Sequence, residues 1–580
     1  MKVDGELGFS RGVNSSIDPM RLPPDAAQYA VNLAFDSTIP RTRPAFQKMV
    51  ELSSSGTFQG SAVYHLSGVD HIVYVIDGVV YAMNTVTFQK TTLTGAVLST
   101  GSIKHHFCQA ERYMIIQDGA DTSSWSSAKW PVILNGMSLY DQSALRASAP
   151  YQAVPKGKQM AYCHGRLFVA TEYIYANGSW SSNLGNIGFV AGDLIKSSDP
   201  DAILSFTETN YLNGGGRIVP VQEIGEITAM TVLRNNPTGT GNGPLVVSWE
   251  NGWCAYQVDA ERSQWFDIEL GTVLYTGRDL GCYDEFSYVH ANNGLLYLTK
   301  EGLRMTHDAM AKASGQNGID NNPISAEVAD ILNSNPPASK SVASAIQRVY
   351  MTGKATQSSY YDSIVSLNAL TFGSISEEAP PIYEGEWTGL KFLQILTEKS
   401  EALDYGVYII AEGVAGEINL AKLVDPDPET ERPKCQLFTR YFDFQDPMTG
   451  KYLREIELNF FEIDGRVDIQ LYYRSDGSSL WGKSRAFSLT ASGEKQHIKS
   501  LRIPIDNAID STSNGSLALG YRFQLCIEWT GVAKLGMFKL FADEDKSIPE
   551  TKINESGNTG NLQTTSTLVD LSRYTYEATL

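Results

Sequence analysis

Short runs of β-branched and aromatic residues, separated by tight-turn signals, recur through most of this 580-residue chain. Residues 71–76 (HIVYVI) and 79–83 (VVYAM) flank the dipeptide Asp77-Gly78. Asp-Gly between two apolar runs is a strong signal for a two-residue β-hairpin turn. The same rhythm returns at intervals as far as residue 305. This pattern predicts a mainly β chain built from short antiparallel strands.

The β-rich units between residues 56 and 424 resemble one another loosely. HGRLFVA (164–170) and NGLLYLT (293–299) both have a polar residue, a glycine and then an apolar run. Each unit has a strand, a turn, an aromatic-rich strand and a longer polar connection, as in the blades of a β-propeller. The period is irregular and matches neither WD40 nor kelch repeats. We therefore predict an irregular β-propeller over residues 56–424, with a blade number that the sequence leaves open.

The region before the predicted propeller, residues 1–55, has little periodicity and carries prolines from Pro19 to Pro44. Proline cannot donate to a strand ladder or continue a helix interior. We predict an extended N-terminal arm that contains one short helix over residues 25–33, with Asp25 as its N-cap. A second short helix is predicted after Pro323, with Val328, Ile331 and Leu332 on one face.

The region after the predicted propeller divides into three parts. Residues 425–434 are Pro-rich and charged, which indicates a linker. Residues 435–545 contain strictly alternating segments such as 467–473, the half-buried pattern of an antiparallel sheet. That pattern predicts a C-terminal β-sandwich domain. Residues 546–580 are rich in Ser, Thr and Asn, which favours an extended C-terminal tail.

Charge and cysteine content restrict the function classes. The chain has 46 Lys and Arg residues against 65 Asp and Glu residues, a net charge of −19. Strong binding to nucleic-acid phosphates normally needs a basic surface, so the acidity argues against it. The six cysteines form no CxxC pair, which indicates buried thiols in a reducing compartment. With no apolar signal region at the N-terminus and no long apolar run, we expect a non-secreted chain without a membrane span.

No motif for nucleotide binding, metalloprotease or serine-hydrolase chemistry is present in the sequence. His105 and His106 are adjacent, and adjacent strand residues point to opposite faces, so they are not expected to share one metal ion. We therefore expect no catalytic residues, no cofactor and no metal, and a chain that is not an enzyme.

Four sequence features follow one another in a fixed order along the chain. The N-terminal segment has a Gly-rich start and a proline segment, then an asparagine and an Arg-Pro pair. Later come HGRLFVA (164–170), NNGLLYLTKEGLRM (292–305) and NPISAEVADIL (322–332). The matching positions are Gly12, Pro19, Asn32, Arg43, Pro44, Gly165, Arg166, Gly294, Gly302 and Pro323.

In this order the features resemble the tail nozzle proteins of short-tailed bacteriophages, also called tail tubular protein B or tail hub. The resemblance implies a structural protein of the virion tail, synthesised in the host cytoplasm. It implies a ring of six copies below the portal and the adaptor (the head-to-tail connector), with tail fibres or spikes alongside. The ring would continue and gate the DNA channel for genome retention and ejection.

The resemblance also implies that genomic DNA passes through the lumen of the ring without specific binding. An acidic lumen would repel the phosphates of the passing DNA, in agreement with the net charge of −19. Edge strands and the long insertions of the propeller are expected to form the lateral contacts of the ring, because unpaired strand edges seek partners. Residues 1–50 and the tail, 546–580, are expected to reach adjacent subunits.

Two alternatives stay open at this point. The first is a carbohydrate-active propeller, a lectin or glycosidase with an appended β-sandwich, which the 10% aromatic content favours. A glycosidase needs two carboxylates about 5–9.5 Å apart, a distance that no sequence reveals. The second is a cellular scaffold propeller, which usually has more regular repeats than this chain. A glycan array and the identity of neighbouring genes would separate these alternatives from a phage tail protein.

Overall fold

The computed structural model of the chain is almost entirely β-structure. No helix among the described residues is long and apolar enough to span a membrane. The structure describes all residues outside the segments 120–128, 145–152, 172, 177–178, 183–193, 207–216, 219–225, 234–242, 257, 259–272, 279–280, 292–293, 307–322, 333–339, 346–347, 356–358, 369–381, 398–405, 477, 480, 492–498, 506–517, 545–567 and 570–580.

The N-terminal residues form strands that pair with distant parts of the chain. β1 pairs with a strand near the end of the C-terminal domain, and β2 lies between that domain and the propeller. These strands are β1 (Lys2–Glu6), β2 (Tyr29–Val31), β3 (Leu33–Asp36), β4 (Ile39–Thr42) and β5 (Ala45–Ser53).

Seven groups of antiparallel strands follow one another as propeller blades in the described residues, and the last two groups belong to the same 19-stranded sheet as the C-terminal strands. Blade 3 carries an inserted hairpin, β16–β17. Blade 1 contains β6 (Phe58–Leu66), β7 (Val69–Ile76), β8 (Val79–Asn84) and β9 (Lys90–Thr92); blade 2 contains β10 (His106–Ala110), β11 (Tyr113–Gln117), β12 (Val132–Asn135) and β13 (Ser138–Tyr140); blade 3 contains β14 (Met160–Cys163), β15 (Arg166–Thr171), β16 (Tyr173–Ala176), β17 (Ser179–Ser182), β18 (Leu194–Ser197) and β19 (Arg217–Ile218); blade 4 contains β20 (Ile227–Val232), β21 (Leu245–Trp249), β22 (Gly252–Tyr256) and β23 (Val273–Arg278).

Blades 6 and 7 share one strand, and blade 7 also takes a strand from the N-terminal region. Residues 382–392 of the long strand β30 complete blade 6, whereas residues 391–397 pair with β31 in blade 7. β5 closes the propeller by pairing with β32. Blade 5 contains β24 (Tyr288–Ala291), β25 (Gly294–Thr299) and β26 (Gly302–Thr306); blade 6 contains β27 (Val342–Ala345), β28 (Arg348–Thr352), β29 (Tyr361–Asn368) and part of β30 (Ile382–Thr397); blade 7 contains the rest of β30, β31 (Val407–Glu412), β32 (Ile418–Val424) and β5.

Apolar cores between neighbouring blades hold the propeller together. On β7, Ile72 and Tyr74 face blade 7, whereas Val73 and Val75 face blade 2. On β11, Met114 packs toward blade 1. Because side chains alternate along a strand, a strand that is buried on both faces needs apolar residues at successive positions. This requirement explains the continuous apolar runs from which the propeller was predicted.

The C-terminal domain is a curled sheet whose two halves face one core. Its longest strands, β34 and β39, pair over most of their length and are interrupted by bulges between residues 461 and 468. Phe460 of one half packs against Trp529 of the other, with ring centroids 5.8 Å apart. The strands are β33 (Lys434–Phe442), β34 (Lys451–Ser475), β35 (Trp481–Lys483), β36 (Phe487–Thr490), β37 (Lys499–Pro504), β38 (Leu519–Gly520), β39 (Phe523–Glu544) and β40 (Leu568–Val569).

This architecture confirms the predicted fold class: a mainly β chain with an irregular propeller, extended N-terminal strands and a C-terminal β-sandwich. The predicted linker, residues 425–434, joins β32 to β33. The predicted tail, residues 546–580, lies outside the described residues except for β40. The boundary predicted at residue 55 was too late, because β5 already belongs to blade 7.

One of the two predicted helices is confirmed. After Pro323 the chain forms a 3-10 turn (Ala326–Val328) and a short helix, α1 (Ala329–Leu332). Val328, Ile331 and Leu332 are all buried, as the periodicity predicted.

The helix predicted over residues 25–33 is wrong. Asp25 has a φ of 62°, a left-handed conformation that an N-cap does not adopt. Tyr29–Val31 instead forms β2 and pairs with β33. Pairing with a strand about 400 residues away therefore outweighs the local helix propensity of this segment.

Candidate functional site: the domain junction and the propeller axis

Arg43 lies at the point where the N-terminal strands, blade 6 and the C-terminal domain meet. Its side chain has no exposed surface. Nε donates to the Asn32 side-chain oxygen at 2.9 Å, and Nη2 donates to the Thr388 carbonyl at 3.0 Å. Both terminal nitrogens also donate to Glu431, at 2.6 and 3.0 Å. Such a bidentate arginine–carboxylate pair fixes geometry as well as neutralising charge.

Asn32 completes this junction from the other side. It adopts a φ of 56°, a left-handed conformation that asparagine tolerates better than most residues. Its amide nitrogen donates to the Lys434 carbonyl at 2.9 Å, and its oxygen accepts from the Thr388 amide at 2.8 Å. One asparagine thus binds the first strand of the C-terminal domain and the last strand of blade 6.

The remaining N-terminal positions of the resemblance also lie at contacts between parts of the chain. Gly12 has a φ of 64°, and a Cβ there would lie 2.6 Å from the Tyr383 carbonyl oxygen. The Pro19 carbonyl accepts a hydrogen bond from the Tyr441 amide at 3.1 Å. The Pro44 carbonyl accepts from Arg43 at 2.7 Å. These positions therefore have structural roles in the chain.

The propeller positions of the resemblance lie at hairpin turns and their supports. Gly165 has a φ of 71° and precedes buried Arg166, which donates to the Ser198 carbonyl at 2.9 Å. Gly302 has a φ of 138°, and a Cβ there would lie 3.1 Å from the Pro323 side chain. Gly294 begins β25. These propeller positions lie apart from the Arg43 junction in the fold.

A second cluster, which no sequence motif indicated, lies across the propeller axis. His106 begins the inner strand of blade 2, and Glu285 precedes the inner strand of blade 5. Their Nδ1 and Oε2 atoms are 2.9 Å apart, and both side chains are about 90% buried or more. Lys104 and Asp284 form a second ion pair at 3.4 Å between the same two blades. The two blades therefore meet at one end of the axis.

His105 points away from this cluster, as alternation predicted. Its Nδ1 donates to the Asp118 carbonyl at 2.8 Å, whereas His106 faces Glu285. In the described part of the chain, no group of three or more His, Cys, Asp or Glu residues is placed to hold a metal ion.

Lys340 precedes the first strand of blade 6 and lies near the Lys104–Asp284 ion pair, held there by bonds to the segments around it. Burial lowers the pKa of its ammonium group to about 8. Its Nζ donates to the Leu332 carbonyl at 3.0 Å, and its own carbonyl accepts from Ser287 at 2.9 Å. Through these bonds, Lys340 links the α1 region to the segment that precedes blade 5.

The inner strands of blades 2 to 5 enclose an axial cavity of about 390 Å³. Its lining includes Gln109, Tyr162, Thr231 and Tyr288. Tyr288 donates to the Met230 carbonyl at 3.2 Å, and Gln109 donates to the His65 carbonyl at 2.8 Å. These polar groups therefore already bond to the wall of the propeller.

The cysteines are free thiols, as expected from their spacing. Five are buried, and Cys108 is half-buried. Burial raises the pKa of Cys163, Cys254 and Cys435 to about 12, so these thiols stay protonated at neutral pH. Their environment is that of structural cysteines rather than nucleophiles.

We expect the stability of the chain to fall in acid partly through His105. Burial lowers the pKa of His105 below its ordinary value of 6.5. The unfolded chain therefore takes up this proton first, and stability is lost as the pH falls below about 6.5. Melting temperatures from pH 8 to 5 should fall less steeply for His105→Gln than for the wild type. The half-exposed His65, replaced by Gln, is the control; parallel curves for wild type and His105→Gln would contradict the assignment.

No protein-family model matches the sequence, and no curated protein matches it. Several solved structures are similar in fold. The β-propeller domain of Myceliophteria thermophila Cps50 (Swd1) covers 65% of this chain and 99% of its own, with 12% identity and a TM-score of 0.36. The WD40 domain of Neurospora crassa Pan2 covers 63% and 89%, with 8% identity and a TM-score of 0.32.

A Trypanosoma rangeli sialidase, solved with 2,3-difluorosialic acid, covers 93% of this chain and 96% of its own. Its identity is 8% and its TM-score 0.30. The expectation that this chain is not an enzyme stays a prediction. At TM-scores of 0.30 to 0.36 these similarities carry no argument about fold or activity.

Proposed function

We propose that this chain is a structural subunit of a bacteriophage tail, a nozzle or hub protein that assembles into a ring below the portal and adaptor. The observation that carries the proposal is the buried junction of Arg43, Asn32 and Glu431. Arg43 and Asn32 belong to the N-terminal features by which the sequence resembles nozzle proteins. Their contacts tie the propeller to the C-terminal domain.

A rigid connection between domains suits a subunit that retains a pressurised genome. Inter-domain contacts within a chain are often loose, which allows relative motion. Here a buried ion pair and Asn32 link three parts of the chain, and β2 adds backbone pairing to both β30 and β33. A subunit whose two domains are rigidly joined transmits force between neighbouring subunits and the adaptor, because it has no hinge between the domains.

In this proposal the DNA passes through the lumen of the ring and not through the axis of one propeller. His106 and Glu285 meet across that axis, and Lys104 and Asp284 do the same. The net charge of −19 suits a lumen that repels phosphates and lets DNA slide. Tail fibres or spikes would bind the outside of the ring.

Negative-stain electron microscopy of the purified chain, alone and mixed with a phage portal–adaptor complex encoded beside it, tests the proposal. We expect rings or short tubes, or particles docked beneath the adaptor. A matched sample carrying Arg43→Met should give fewer rings, since its domains are less firmly joined. Isolated monomers that never dock would refute the proposal and make a carbohydrate-active propeller the leading alternative.

A further inference from the structure

A groove between blades 2 and 3 is separate from the junction and from the axial cavity. Its volume is about 970 Å³, near the upper end of the range typical of ligand pockets, about 300–1,000 Å³. Ile203 and Leu204 form an apolar floor, and Tyr113 and Tyr140 form aromatic walls. Glu111, Arg112 and Asp201 lie at the rim.

The turn that carries Glu111 and Arg112 differs from the corresponding turns in neighbouring blades. Blade 1 joins its first two strands through Ser67-Gly68, and blade 3 does so through His164-Gly165. Blade 2 has two charged residues and no glycine at this turn, although Glu111 adopts a φ of 51°. Asp201, on the opposite rim, has a φ of 53°. Ser67 and His164 have φ values of 51° and 48° at the same turn position, so the blade 2 turn differs from its neighbours in its charged side chains and not in its backbone.

Hydrogen bonds within each blade and one between the two blades position the residues of the rim. The Arg112 guanidinium donates to the Tyr113 hydroxyl at 2.8 Å, and the Asp201 amide donates to the Gly165 carbonyl at 3.0 Å. The Tyr162 hydroxyl of blade 3 donates to Glu111 of blade 2 at 3.4 Å. The groove therefore presents carboxylates, a guanidinium and aromatic rings from two rigid blades.

We propose that this groove binds a neutral oligosaccharide. Sugar rings offer apolar C–H faces, which pack on aromatic rings, and hydroxyl groups, which donate to carboxylates and accept from arginine. The lining has three carboxylates, Glu111, Asp141 and Asp201, against one arginine, so the groove is net negative, which disfavours phosphate, sulfated or sialylated ligands. Glu111 and Asp201 accept sugar hydroxyls, and Arg112 donates to a ring or hydroxyl oxygen. Tyr140 packs against the sugar face, since the Arg112 guanidinium lies over the Tyr113 ring at 5.0 Å from its centroid.

The test is binding of the purified full-length chain to a printed array of neutral, sulfated and sialylated oligosaccharides, followed by titration with the best neutral glycan. We expect a dissociation constant below about 1 mM. Glu111→Gln and Asp201→Asn should each weaken binding about tenfold, the loss of one hydrogen bond to a charged group. Glu250→Gln, at an exposed ion pair on blade 4, is the matched control and should bind as the wild type does.

Melting temperatures establish that each variant is folded, and if one of the two groove variants fails to fold the other decides the result. The proposal is overturned if no neutral glycan binds, if only acidic glycans bind, or if Glu250→Gln weakens binding as much as the groove variants. It is also overturned if both groove variants bind normally. Binding is measured on the chain itself, so the result does not depend on whether the chain forms a ring.

Discussion

Arg43→Met is expected to lower the free energy of unfolding by about 3–5 kcal/mol, as removal of one partner from a buried ion pair usually does. Methionine is similar in length but donates no hydrogen bond. Glu431, which is only 16% exposed, would lose both guanidinium bonds, and Asn32 and Thr388 would each lose a donor. Chemical denaturation followed by tryptophan fluorescence measures the effect.

The matched control is Arg466→Met. Arg466 also pairs with a carboxylate, Asp468 at 2.8 Å, but its side chain is 61% exposed. Exposed ion pairs contribute at most about 1 kcal/mol, so this variant should be close to the wild type. If Arg43→Met and Arg466→Met lower the free energy of unfolding equally, the buried junction contributes no more to stability than an exposed ion pair does. Glu431→Gln combined with Arg43→Met should cost less than the sum of the two changes, because both remove one interaction.

The parts of the fold that depend on local sequence were predictable. Asp77 and Gly78, with φ values of 48° and 76°, form the turn that their dipeptide indicates. The short helix after Pro323 likewise follows from its own periodicity and proline signal. Local patterns specify a hairpin or a helical turn because the residues that stabilise it are neighbours in sequence.

Features that depend on distant pairing were not predictable. The closure of blade 7 joins β5 to β32, from opposite ends of the propeller sequence, and neither strand carries a signal for the other. β30 belongs to two blades, so counting apolar runs could not give the blade number. The resemblance pointed to Arg43, but its partner Glu431 lies 388 residues away in a segment read only as a charged linker.

The cluster at the propeller axis also has a part that was predictable from the sequence and a part that was not. The opposite orientations of His105 and His106 were predictable, because alternation along a strand is a local property. The contact between His106 and Glu285 was not predictable, since it depends on blades 2 and 5 facing each other across the propeller axis. Because the chain has 65 Asp and Glu residues, the sequence does not show which of them have buried cationic partners.

The N-terminal strands are expected to be essential for folding of the chain itself, not only for contacts with neighbouring subunits. β1 pairs with β39 from Lys2 to Glu6, and Phe9 is 1% exposed. The Phe9 ring lies 6.2 Å from the Phe35 ring and 6.3 Å from the Phe538 ring. Deleting residues 1–20 removes an edge strand and opens a cavity in the main core, so the truncated chain should be poorly folded.

Phe9→Ala isolates the core contribution from the loss of β1. It should lower the free energy of unfolding by about 3–5 kcal/mol, the usual cost of removing a buried phenylalanine. Leu7→Ala, two residues away and 76% exposed, is the control and should change stability by no more than about 0.5 kcal/mol. If instead the chain without residues 1–20 folds with a normal melting temperature but no longer forms rings, these residues act between subunits, as the sequence alone suggested. Loss of folding in the same chain would place their role within one subunit, and contacts between neighbours would then have to come from other surfaces.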